Sequence, residues 1–402
     1  MRRLSTTRIL ARWGARLALL ALGACVEPYL PEVVSANANY LVVDGFINGN
    51  GVTRITLSRS ANLATTSTPP PELRARVLVV DDTGLRYALT EKAAGLYQSD
   101  SLLLPTGRRY RLRITTAGSA TATYESDPVL LKVTPPIDKL NFQLTGSQVQ
   151  LLLSTHDASA QSRYYRWSFV ETWEFNAAVG SALEYYPKLN GPRGNIPIDI
   201  RTTPIYTCWR TERPTAIVQT TSAQLSQDAI TNYLLRSFPD RAERVKVRYS
   251  VLVNQVAETA EEFAYFELLR KNTEAVGTVN DPLPSQLTGN VHRVDDASEP
   301  VLGFVGAHTV QQRRLFIDKT DLPAHAPEYY DTPYNTCTVT NLAFCDSQGT
   351  CDVDGVLKLF ASPNYVPLDY ITIPGSGGGI SSASADCADC RRRGTTTKPS
   401  FW

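Results

Sequence analysis

From residue 39 onward, apolar and polar side chains alternate with a period of two in short runs separated by turn residues. Tyr40–Ile47 and Val52–Ser58 are the first pair, joined by Asn48-Gly-Asn-Gly51, a strong hairpin signal. In the second run Val52, Arg54, Thr56 and Ser58 alternate with Thr53, Ile55 and Leu57, which predicts a half-buried strand. Ala75–Val80, Leu85–Leu89, Gly95–Ser99 and Arg109–Thr115 continue the series, with turns at Asp81-Asp-Thr-Gly84 and Pro105-Thr-Gly107. Strands at such spacing predict an Ig-like β-sandwich of about 100 residues, placed at 39–135. Pro135-Pro136 marks its boundary.

The remainder, 136–402, is expected to form a larger, mainly-β domain with one or two helices. Gln148–Ser154, Tyr164–Phe175 and Arg244–Val253 read as strands, with Tyr165, Trp167 and Phe169 on one face of the second. Ser226–Leu235 reads as a short helix capped by Ser226. The stretch 258–272 is the clearest helix, with glutamates crowding its start, Arg270-Lys271 at its end and Asn272 as a cap. Phe263, Phe266 and Leu269 are its expected core face. Strands resume at Gly289–Val294 and Val301–Ala307, and Pro374–Gly379 reads as a surface loop. No internal repeat is present.

Composition supports this outline. The 402 residues are 43% hydrophobic and 20% charged, which excludes a disordered or multi-span membrane chain. With 40 Lys plus Arg against 39 Asp plus Glu, no charge excess points to nucleic acid as a partner. Thr, Val, Tyr and Pro are plentiful and there is 1 Met, a bias towards strands and turns.

The first residues read differently. Arg2, Arg3, Arg8, Arg12 and Arg16 precede the apolar stretch Leu17–Ala24, which is shorter than the roughly 20 residues a bilayer span needs. This is the pattern of an export signal, expected at 1–24. Leu22-Gly23-Ala24-Cys25 resembles a bacterial lipobox, which predicts cleavage before Cys25, acylation of its thiol, and a tether over 25–38. An exported chain meets an oxidising compartment, so the six other cysteines, Cys208, Cys337, Cys345, Cys351, Cys387 and Cys390, are disulfide candidates whose connectivity spacing does not settle. Cys387-Ala-Asp-Cys390 lacks the second Cys or His pair of a zinc site and follows no strand–helix turn of a redox dithiol. A structural disulfide role is the favoured reading, with no metal and no cofactor.

Several longer stretches carry a family resemblance. Leu41-Val-Val-Asp-Gly-Phe46, Tyr164-Tyr-Arg-Trp167 with Glu171-Thr-Trp-Glu-Phe175, and Asn272-Thr-Glu274 with Asp281-Pro and Pro284–His292 are similar to one family. So are Glu299–Phe304 and the closing Cys-Ala-Asp-Cys with Gly394, Lys398-Pro and Phe401-Trp402. Together they resemble the lipoproteins of Bacteroidetes grouped as domain of unknown function 4249, over nearly all of 25–402. The resemblance implies an outer-membrane location, an N-terminal sandwich and gene neighbourhood with TonB-dependent receptors. It brings no agreed activity and no catalytic residues. It also implies that Cys345 and Cys351 are additional cysteines that pair with each other, leaving Cys208, Cys337, Cys387 and Cys390 as a common set.

Candidate chemistry is sparse. His292 lies near Asn290 and Asp295-Asp296, but no nucleophile elbow, His-Glu-x-x-His or phosphate loop accompanies it, so a structural role is expected. Glu171 and Glu174 flank Trp173, yet strand geometry turns the two acids to opposite faces, against a glycosidase pair. Tyr185-Tyr186 and Tyr329-Tyr330 are candidate aromatic contact loops, and Arg391–Arg393 reads as a solvated basic run. The expected function is a non-catalytic outer-membrane lipoprotein, an accessory or ligand-binding component beside a TonB-dependent transporter. A cell-envelope hydrolase and a structural or adhesion lipoprotein are the alternatives.

Overall fold

The computed structural model describes residues 39–61, 68–118, 121–189, 191–194, 197–274 and 289–402. The expected signal segment, Leu22, Gly23, Ala24, Cys25 and the tether lie outside the described residues.

The first eight strands are β1 (Leu41–Asn48), β2 (Val52–Arg59), β3 (Arg76–Asp81), β4 (Arg86–Ala93), β5 (Leu96–Ser101), β6 (Arg109–Thr115), β7 (Thr123–Ser126) and β8 (Val129–Leu130). Nine follow: β9 (Ile137–Thr145), β10 (Gln148–His156), β11 (Tyr164–Asn176), β12 (Leu183–Tyr185), β13 (Ile198–Ile200), β14 (Thr207–Glu212), β15 (Val218–Thr221), β16 (Ala229–Pro239) and β17 (Arg248–Glu258). Helix α1 (Ala260–Glu274) precedes β18 (Val291–Arg293), β19 (Ala307–His308) and β20 (Gln311–Asp318). Strand β21 (Thr340–Ala343), helix α2 (Val353–Leu359), β22 (Tyr365–Ile373), β23 (Gly377–Ser384) and helix α3 (Ala385–Ala388) close the chain. The protein is mostly β, as its period-two patterning predicts.

The first unit is one ten-stranded sheet, curled into a half-barrel, in the order β18-β7-β6-β3-β4-β5-β2-β1-β19, with β8 on β6. Its concave face buries Leu41, Val43, Ile47, Ile55, Leu57, Tyr97, Tyr110, Leu112 and Tyr124. Both edge strands, β18 and β19, come from one later segment, 291–308, which returns to the first unit after α1. Segment 291–308 thus belongs to the first sheet although it lies far beyond Pro135-Pro136 in the chain. Between its two strands this strap drops Val301 and Val305 into the same core, while Val43 N–H donates to Leu302 O and Leu302 N–H to Leu41 O. Gly303 permits the approach: its φ is +127°, and a Cβ there would sit 2.0 Å from the Val43 carbonyl oxygen.

The second unit packs a three-stranded sheet, β16-β10-β9, against a five-stranded one, β14-β11-β17-β20 with β15 on β11. Leu151 and Leu153 of one meet Trp167, Phe169, Val251 and Val253 of the other in a shared core. The stretch expected as a helix at Ser226–Leu235 is mainly strand β16. Its pairing with β10 shifts register twice, and Asn232 takes φ +51°. Those irregularities bury Ile230, Leu235 and Phe238 at uneven spacing, which imitates a helical period. A small terminal lobe holds β21-β23-β22 and the pair β12-β13.

Three cysteine pairs stand at disulfide distance: Cys208–Cys390, Cys337–Cys387 and Cys345–Cys351. The two cysteines of Cys-Ala-Asp-Cys thus go to different partners. Cys208–Cys390 is fully buried and ties β14 to the terminal segment across 182 residues. Trp209 and Thr395 exchange backbone bonds of 2.8 and 3.0 Å, extending the sheet edge. Within Arg391–Arg393, Arg391 and Arg392 are exposed as a solvated run would be, but Arg393 makes two bonds to Glu243 of 2.8 and 2.5 Å and stacks 4.9 Å from the Phe175 and Tyr334 rings.

Replacing Cys208 and Cys390 together by alanine is expected to cost about 2–5 kcal/mol, because the cross-link closes a long loop in the unfolded chain. Opening Cys345–Cys351, which spans 6 residues, should cost much less. Urea melts of the two double variants check the order; equal losses would refute it.

Candidate functional site at the junction of the two units

The chain passes from the first unit to the second at 131–137 and again at 308–311, and these two passages pair with each other. Lys132 N–H donates to Ala307 O and Thr309 N–H to Lys132 O, both at 2.9 Å. Thr134 N–H donates to Thr309 Oγ1 (2.8 Å), and the Thr134 hydroxyl donates to Thr309 O (2.5 Å). The second unit grips this pair from β17: Ala257 N–H donates to Thr134 Oγ1, and Gln255 Nε2 donates to Pro135 O and Thr155 Oγ1. Trp167 Nε1–H completes the chain by donating to Gln255 Oε1 at 2.8 Å.

Beside this knot lies a buried charged cluster. Strand β11 alternates, so Tyr165, Trp167 and Phe169 enter the core while Arg166, Ser168 and Val170 face the junction. Arg166 bonds through Nε to Glu258, the last residue of β17, and through a terminal nitrogen to Glu262 of α1 at 3.2 Å. Glu262 Oε1 also lies 3.1 Å from His308 Nε2. Glu258 and His308 are 0% exposed and Glu262 1%, so all three are removed from water. His308 Nδ1 has no hydrogen-bond partner among the described residues. Gly306 makes room: a Cβ there would stand 2.3 Å from Glu262 Oε2 and 2.5 Å from His308 Nε2.

Helix α1 reads differently in three dimensions. It extends to Glu274 past the expected cap at Asn272, and its most buried side chain is a carboxylate. Phe263, Phe266 and Leu269 are half-buried. Phe263 packs on Tyr164 at 5.2 Å, and Phe266 lies under the Arg166 guanidinium at 4.1 Å.

Burial pushes the Glu258 carboxyl up to about 7 against the pull of Arg166, with the charge of Glu262 adding to the rise. Burial acts on Glu262 in the same sense, but His308 and Arg166 outweigh it and hold Glu262 below the usual range. For Arg166 the two carboxylates outweigh burial and raise it.

Clefts open on both sides of this cluster. One, of about 450 Å³, lies between the β1–β2 hairpin and the outer face of the five-stranded sheet. Phe46, Asn48 and Arg54 line it from the first unit; Arg166, Ser168, Arg213, Asn254 and Gln312 line it from the second. Gln312 Nε2 donates to Asn254 Oδ1 (2.7 Å) and Asn254 Nδ2 to Ser168 Oγ (3.3 Å), so the sheet presents an ordered polar row. The other cleft, about 570 Å³, is lined by Lys132, Arg163, Glu258 and Glu261 among others.

The residues singled out in the sequence lie elsewhere. His292, on β18, is exposed and 3.3 Å from Asp127; Asn290 is buried and bonds both ways to the Val305 backbone. Glu171 points into the second core, where Tyr249, Arg244 and Arg236 hold it at 2.5, 2.9 and 3.1 Å. Glu174 leaves the opposite face and accepts from Trp402 Nε1 at 3.1 Å. Tyr329 stacks on His325 at 3.8 Å and donates to Asp240, Tyr330 is buried, and Tyr186 donates to Ile200 O. Sequence reading missed the cluster because its members stand 92 and 46 positions apart and follow no motif spacing. Among the described residues no group of His, Cys, Asp and Glu is placed to hold a metal ion, and Arg166 supplies the positive charge between the two glutamates.

A folded carboxyl near 7 binds protons that an unfolded one, near 4.5, has released. The folded state therefore holds more protons between those values, and stability falls as pH rises through the window. Glu258→Gln is expected to flatten this part of the profile, read as urea midpoints from about pH 5 to about pH 8; parallel profiles would overturn the assignment. Arg166→Ala, which strands two buried carboxylates, should cost about 3–5 kcal/mol.

Comparison with solved structures finds distant likenesses. The Yersinia pseudotuberculosis adhesin InvE aligns at 16% identity over 54% of this chain and 57% of that chain, with a TM-score of 0.16. A DUF4785 family protein from Legionella pneumophila aligns at 13% identity over 53% of this chain and 51% of that one, with a TM-score of 0.17. The alignments span little more than half the length of either protein, and such scores carry no statement about fold or activity. No curated protein matches. Residues 26–314, however, match the family described as Domain of unknown function (DUF4249), and the chain belongs to that family.

Proposed function

We propose that the protein is a non-catalytic outer-membrane lipoprotein, anchored through acylated Cys25, that binds a ligand at its junction cleft beside a TonB-dependent transporter. The observation that carries this proposal is the cleft itself. Its walls come from two units that are held in register by a buried hydrogen-bonded knot, and its lining is a preformed mixture of apolar, amide and guanidinium groups. Such a lining orients a ligand, while a reaction would need a nucleophile or an accessible acid–base pair. Three cysteine pairs at disulfide distance suit the oxidising compartment that the N-terminal segment implies. Leu22-Gly-Ala-Cys25 supports the anchor, and residues 26–38 allow the folded part to stand off the bilayer.

Cys25→Ala is expected to move the protein from the membrane fraction to the soluble fraction, and unchanged fractionation would refute the anchor. Affinity purification of the full chain from detergent-solubilised outer membranes should recover a TonB-dependent receptor. Recovery of no envelope partner, together with turnover of envelope glycan by the pure protein, would replace the proposal with a hydrolase.

A further inference from the structure

We infer that the junction cleft takes a small acidic ligand, with a carboxylate or sulfate group held by Arg54 and Arg213 and a hydroxyl-rich body along the polar row of Gln312, Asn254 and Ser168. The inference rests on the ligand-binding proposal above and names its ligand class.

Three arginines line this cleft, and no Asp, Glu or Lys does. Arg166 is already committed to Glu258 and Glu262, which lie buried behind it. Arg54 and Arg213 are different. Both are exposed, and among the described residues neither has an ion-pair or hydrogen-bond partner. Arg54 stands on β2 opposite Phe46, in the first unit, while Arg213 follows β14 in the second. Asp44, on the same strand as Phe46, does not line the cleft.

Two unpaired guanidinium groups, one from each unit, leave a concentrated positive potential in a partly enclosed space. An oxyanion meets guanidinium with paired, charge-assisted hydrogen bonds, which a neutral ligand lacks. Between them the amide row exposes donors and acceptors at fixed spacing, a match for hydroxyl groups, and Phe46 and Val170 offer an apolar surface for the carbon face. The volume, about 450 Å³, suits a ligand of one or two sugar rings in size.

Isothermal titration of the full chain in detergent would use three probes: digalacturonate, a sulfated lactose and plain lactose. Both acidic probes are expected to bind and to weaken as salt is raised, with lactose at least tenfold weaker. Arg54→Gln and Arg213→Gln should each reduce binding of the acidic probes on the order of tenfold. Neither should shift the thermal midpoint, since neither side chain has a partner to lose. Arg76→Gln, an exposed arginine outside the cleft, should change nothing. Equal binding of lactose, acidic binding that survives both cleft substitutions, or no binding of any probe at millimolar concentration would each overturn the inference. A chain that binds the acidic probes yet recovers no transporter defeats the accessory role and leaves the ligand class standing. One that recovers a transporter but ignores the acidic probes does the reverse.

Discussion

The junction of the two units is arranged around one partly buried arginine. Arg166 sits where β11, β17, α1 and the returning strap converge, and it is the positive group against which Glu258 and Glu262 are buried. Charges in such a place are costly to bring out of water, and an apolar cluster of the same size would stabilise at least as well. What the ionic cluster supplies instead is discrimination. It is satisfied only when a strand end, a helix face and the strap at His308 arrive together, so a slipped register in any of them strands a buried charge.

The hydrogen-bonded knot beside it works to the same end with neutral groups. Thr134, Thr309, Ala257 and Gln255 link two passages of the chain to the second core through bonds that water cannot replace without opening the junction. A ligand cleft whose walls belong to separate sheets depends on this rigidity. Were the units free to rock, Arg54 and Gln312 would face each other only part of the time, and binding would be weakened in proportion.

Local features of this architecture were readable from the chain, and non-local ones were not. The alternation in Val52–Ser58 and in Tyr164–Phe175 leads directly to β2 and β11, because burial of one face imposes period two. Ser226–Leu235 misled because two register shifts and a left-handed Asn232 scrambled that period. The charged cluster was invisible for another reason: Glu262 reads as an ordinary first-turn glutamate, favoured by the helix dipole, and nothing local reveals that it is the helix's most buried residue. Likewise nothing local sets Arg393 apart from the exposed Arg391 and Arg392, because its partner Glu243 lies 150 positions earlier. Cys-Ala-Asp-Cys shows the same limit, since its two sulfurs serve separate cross-links whose partners lie 182 and 50 residues away.

The strap at 291–308 has a bearing on how the protein is made. Both flanks of the first sheet are left with open backbone groups until this segment arrives, and its pairing of Ala307 with Ile47 joins the two ends of a 260-residue separation. A nascent chain that has emerged only through β8 therefore carries a sheet with two unpaired edges, the arrangement most prone to pairing with a neighbour. The first sheet is thus completed only once residues 291–308 have been made.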